Sequence, residues 1–160
     1  MRFYSHEECH SWLLGRKRTK PQVEAEHVYR VHFPREEYRL YFLAHWVASS
    51  CMEREPCLLW ITEWGVWPSS ENWHLYYKLR QSYGNFELLD EMSGHYFLPH
   101  ETEDLASFLH LAMLNGWGGY VLTHLNRVNA FFSHDEFIDF YAHEERFLDD
   151  ARTQFPDSHT

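Results

Sequence analysis

At 160 residues with 44% hydrophobic and 18% aromatic content, the chain is long enough to bury a substantial core and too apolar for disorder to be its default. Its 14 Lys and Arg against 24 Asp and Glu give a formal charge of −10, which repels phosphate backbones and anionic lipids and argues against nucleic-acid or membrane binding. Cys9, Cys51 and Cys57 form no C-x-x-C pair and fit reduced thiols in a cytoplasm; the polar stretch Met1–Glu8 lacks the apolar segment of a secretory signal, and no run is long enough to span a membrane.

Ser5 followed by Glu8 is a capping box that opens a helix through Trp12 and Leu13, with Gly15 as its stop. Arg16, Lys17, Arg18 and Lys20 then make a short basic loop. Residues 27 to 33 alternate, Val28, Arg30 and His32 on one face and Tyr29, Val31 and Phe33 on the other, which predicts a strand. Pro34 starts a helix to about Ser49. Cys57-Leu58-Leu59-Trp60-Ile61 is continuously apolar and reads as a central strand covered on both faces.

Glu63 to Pro68 is a loop, and Ser69 or Ser70 caps a helix carrying Trp73, Tyr76, Tyr77 and Tyr83, ended by Gly84. Residues 95 to 98 form a short strand. Leu105, Phe108, Leu109, Ala112 and Met113 follow helical spacing, and Asn115-Gly116 stops that helix. Strands follow at 120–123 and 128–132, turned at Asn126. Ser133 and Glu136 then read as a second capping box, opening a closing helix lined by Phe137, Phe140, Tyr141, Phe147 and Leu148.

The order αβαβαβαββα predicts an α/β fold: one domain over residues 1–153, with a mixed, largely parallel sheet of about five strands, helices packed on it, and a frayed tail at 154–160. In open α/β sheets ligands sit beyond the carboxyl ends of the strands. Those ends carry Glu63, Trp64 and Trp67, then His100 and Glu101, then His134 and Asp135. If their strands run parallel, these seven residues share one rim.

The acids also suit the first turn of a helix, where they meet its positive end, so their presence alone does not assign catalysis. His6-Glu7-Glu8-Cys9-His10 matches the H-E-x-x-H pattern of zinc hydrolases. It has no evident third ligand and no sheet context, so no resident zinc, other metal or cofactor is expected. No nucleotide-binding glycine motif and no G-x-S-x-G occurs.

The expected function is therefore a non-enzymatic protein–protein interaction module. Its acidic, aromatic-rich surface would bind or inhibit a basic partner protein in the manner of an immunity protein. The alternatives are a small hydrolase using the rim His and carboxylates, or a structural subunit of a larger assembly. No oligomeric state follows from the residues.

Overall fold

The structure is a computed structural model and describes all residues except 23–24, 53–54, 66–72, 126 and 157–160. Strand β1 (Arg2–Tyr4) leads into helix α1 (His6–Leu14). The capping box at its start is complete: Ser5 Oγ accepts the Glu8 N–H at 3.2 Å, and Glu8 Oε2 accepts the Ser5 N–H at 2.7 Å. The chain continues through β2 (His27–His32), α2 (Glu37–Cys51), β3 (Cys57–Glu63), α3 (Trp73–Ser82) and β4 (Gly94–Phe97). It then forms α4 (Thr102–Leu114), β5 (Gly118–Thr123), β6 (Val128–Ser133), β7 (Phe137–Ala142) and α5 (Arg146–Gln154).

The expected largely parallel, five-stranded sheet is not what forms. Among the described residues the sheet has 7 strands in the order β1-β4-β3-β5-β6-β7-β2, and every neighbouring pair is antiparallel. The physical reason is that a helix between two strands does not by itself return the chain in parallel. β3, α3 and β4 are consecutive, yet β4 lies beside β3 with opposite direction. β4 and β5 do share a direction, but β3 is inserted between them.

A second expectation fails at residues 133–148. Ser133 does not cap a helix. Its Oγ accepts the Asp135 N–H at 3.1 Å inside a hairpin turn, and residues 137–142 become β7. Ile138, Phe140 and Ala142 point into the core at a spacing of two, while Phe137, Asp139 and Tyr141 point the other way. Only α5 remains of the expected closing helix. The proposed caps Ser69 and Ser70 and the proposed turn residue Asn126 lie outside the described residues.

Helices α2, α4 and α5 cover one face of the sheet, with α3 against α4. Leu105, Phe108, Leu109 and Ala112 of α4 are fully buried there, each large side chain contributing roughly 1.5–3 kcal/mol. Among the described residues the one helix on the opposite face is α1, whose Cys9, Trp12 and Leu13 pack on Leu58, Trp60, Tyr120 and Leu122. Among the described residues no helix is long and apolar enough to cross a membrane.

Under α3 and α4 the core is aromatic and polar together. Tyr76 meets Trp117, Phe108 and His95 edge-on, with ring centroids 4.7, 5.5 and 5.8 Å apart. The Tyr76 hydroxyl is 3.0 Å from His95 Nε2, and both residues are fully buried. Burial, reinforced by the nearby positive charge of Arg80, pushes His95 down from its ordinary 6.5 to about 3.

Arg80 is itself 0% exposed, its Nε and Nη2 both donating to Asn85 Oδ1 at 3.0 and 2.7 Å. His95 thus stays neutral in the fold, whereas the unfolded chain takes up a proton near pH 6.5. Its contribution is intact above that pH and is lost as pH falls from 6.5 toward 3, by about 1.4 kcal/mol per pH unit. Urea unfolding at pH 7 and pH 5 is expected to show a smaller stability loss in His95→Gln, which keeps an acceptor for Tyr76 and does not titrate. Equal losses in both proteins would refute this assignment.

Candidate functional site

The directions of the strands decide which rim residues meet. β3 and β6 run the same way, so Glu63 and His134 emerge at the same end of the sheet. His134 Nδ1 lies 2.8 Å from Glu63 Oε2, and its Nε2 lies 3.6 Å from Asp135 Oδ1. Trp64 follows directly and is half-buried against the main core cluster.

β4 runs the other way, so His100 and Glu101 lie at the opposite end. There Glu101 accepts the Leu98 N–H at 2.7 Å and contacts the Met1 amino group. Four of the seven anticipated residues, Glu63, Trp64, His134 and Asp135, are therefore brought to one end. His100 and Glu101 are not, and Trp67 lies outside the described residues.

A break in register between Ile61 and Glu63 sets the position of Glu63, which pairs with Gly118. A Cβ on Gly118 would stand 2.5 Å from Glu63 Oε2, and one on Gly119 would stand 2.4 Å from the Trp60 carbonyl oxygen. The two glycines let β5 approach β3 where larger residues would not fit.

From this end the site continues across the sheet face that carries α1, from Tyr120 beneath that helix out to β6, β7 and β2. Residues 134–136 form the turn between β6 and β7, with Glu136 N–H on the Ser133 carbonyl at 3.2 Å and Glu136 at a left-handed φ of 63°. Beyond it a row of rings crosses four strands. Tyr120 and Phe131 lie 5.0 Å apart, Phe131 and Phe137 6.1 Å, and Phe137 and His32 6.5 Å.

Arg30 lies 3.7 Å above the Phe137 ring and binds Asp139 bidentately at 2.7 and 2.8 Å. That hydrogen bond raises Arg30 above its ordinary value, while burial and the Asp139 charge push Tyr141 up to about 12. Val28, on the same face, is 51% exposed. Arg30, Phe131, Phe137 and Asp139 were not anticipated as site residues. The signal for them was the alternation in Phe137–Ala142, masked by the false capping box before it.

The chemistry available here is limited. A carboxylate behind a histidine is how hydrolases orient a base, but here both ring nitrogens of His134 face carboxylates, Glu63 and Asp135. Ser133 is 3% exposed, and its Oγ is engaged by Asp135. The three cysteines are unpaired and buried, and burial pushes Cys9 and Cys51 to about 12, far from nucleophilic range. Among the described residues no three His, Cys, Asp or Glu side chains gather so as to hold a metal ion. No protein-family model matches the chain, and comparison with curated proteins and with solved structures finds no match.

Two substitutions at adjacent glycines are expected to separate the site from its scaffold. Gly118→Ala meets a movable carboxylate, so it should displace Glu63 and change the His134 imidazole NMR signals for about 1 kcal/mol of stability. Gly119→Ala meets main chain and should cost about 3 kcal/mol or prevent folding. In the turn, Glu136→Gly should relieve the left-handed strain and stabilise by about 1 kcal/mol, read as a higher melting temperature.

Proposed function

We propose that this chain is a non-enzymatic binding module that holds another protein, one with a basic face, against the β6–β7 turn and the open face of β7 and β2. The observation that carries this reading is the juxtaposition of a partly exposed row of rings, Phe131, Phe137 and His32, with an acidic border. Phe131 and Phe137, both partly exposed, offer rigid contact area at low entropy cost, and Glu63, Asp135 and Glu136 edge it with negative charge. Arg30 adds little positive field because Asp139 is bound to it at two points.

The overall charge of −10 steers a basic partner toward the whole molecule, and the rim selects where it docks. Inhibition of a basic partner, as an immunity protein performs it, is one use of such a surface. Three buried, unpaired thiols suit a reducing compartment, which supports a cytoplasmic location as part of this proposal.

The test uses a partner obtained by affinity capture on the immobilised chain. With that partner, Glu63→Lys combined with Asp135→Lys is expected to slow association about tenfold or more, with the melting temperature little changed. Raising salt from about 50 mM to about 500 mM should slow the wild-type chain in the same way. Association that ignores both changes would remove the acidic rim from the interface.

A further inference from the structure

The H-E-x-x-H stretch of α1 is not part of the rim, and its geometry has its own chemistry. His6 and His10 are one helical turn apart, and their Nε2 atoms approach to 3.0 Å. The rings stand at 79° to each other with centroids 4.5 Å apart. Both pack in T-shaped contact with one indole: the Trp60 ring centroid lies 5.3 Å from that of His6 and 5.0 Å from that of His10. Trp60 is 1% exposed and its Nε1 donates to Ser93 Oγ at 3.2 Å, so the floor under the two imidazoles is fixed. His6 itself is exposed.

The geometry points to a two-histidine chelate for a borderline transition-metal ion, Zn²⁺ or Cu²⁺, formed by His6 Nε2 and His10 Nε2 on the exposed side of α1. Two imidazole nitrogens bound to one ion at about 2.0–2.1 Å stand roughly 2.9–3.4 Å apart for coordination angles from right-angled to tetrahedral. The observed 3.0 Å falls within that span without any movement of the helix.

Without metal, one imidazole carries its proton on Nε2 and donates it to the other. On binding, both rings take the tautomer protonated at Nδ1 and present Nε2 lone pairs to the ion. Imidazole nitrogen selects Zn²⁺ and Cu²⁺ over Mg²⁺ and Ca²⁺, which take oxygen ligands. Since no third His, Cys, Asp or Glu joins the pair among the described residues, water or another molecule completes the coordination. The site is exchangeable, in contrast to the closed sphere of a structural zinc site. The Glu7 of the motif has no assigned role in it.

The experiment is a calorimetric titration of untagged protein with Zn²⁺, with Mg²⁺ as control. The chain has 13 histidines, so the variants locate the site. One saturable Zn²⁺ per chain is expected, accompanied by a higher melting temperature and no response to Mg²⁺. Either His6→Gln or His10→Gln should weaken zinc binding about a hundredfold, because losing one arm of a chelate removes the intramolecular advantage. His10 packs on the buried Trp60, so the zinc-free melting temperature of each variant is recorded first. Should His10→Gln be destabilised, the exposed His6→Gln decides the outcome. The absence of saturable zinc uptake, or uptake unchanged in His6→Gln, would overturn the assignment.

Discussion

Hydrogen bonding on both edges of β3 is the constraint from which the other placements follow. Its residues Cys57 to Ile61 are fully buried or nearly so, and its ladders run antiparallel to β4 on one side and β5 on the other. A buried strand cannot leave its amides unsatisfied, so both neighbours are obligatory. Once their directions are set, β6 returns beside β5 in the direction of β3, and Glu63 and His134 come to the same end. The same constraint sends His100 and Glu101 to the far end. The break in register at Glu63, matched by Gly118 and Gly119, completes the arrangement by letting two main chains approach closely.

The sheet is dressed unequally. Among the described residues three helices bury one face, while the other has α1, over the β4–β3–β5 half. This asymmetry leaves the aromatic side chains of the β6–β7–β2 half partly open. Their exposure is moderated by polar chemistry: the Arg30–Asp139 pair sits among them, and its carboxylate partner is nearly buried while the guanidinium is half exposed. Such a pair adds modest stability but fixes geometry, and it holds the Phe137 ring under a planar cation. The core beneath the other face handles polarity differently. Arg80 and His95 are buried near each other, and the positive charge of one helps keep the other neutral.

Local chemistry was legible from the sequence wherever it was decided within a few residues. Ser5 and Glu8, the apolar run 57–61, the alternation of 27–33 and the spacing of Leu105 to Met113 each led to the observed element. Strand direction was not legible, because α–β alternation is compatible with either sense of return. That ambiguity is why two of the seven anticipated rim residues, His100 and Glu101, lie at the other end of the sheet. Ser133 and Glu136 misled for a different reason. A serine that caps a helix and one that closes a turn use the same hydroxyl on nearby backbone amides, and only the partner two rather than three residues on distinguishes them. The 3-residue strand β1 is too short to announce itself by periodicity.

The outermost pairing, β2 on β7, joins segments more than a hundred residues apart, from His27 on Ala142 to His32 on Phe137. During synthesis β2 leaves the ribosome long before any partner exists for it, and the sheet cannot close on this side until residue 142 has emerged. For that interval an extended, valine-bearing segment stands unpaired, the kind of template on which nascent chains aggregate or chaperones act. His27, Arg30 and His32 interrupt its apolar character at intervals of two or three residues, so the charge that later settles on Asp139 serves first as a gatekeeper.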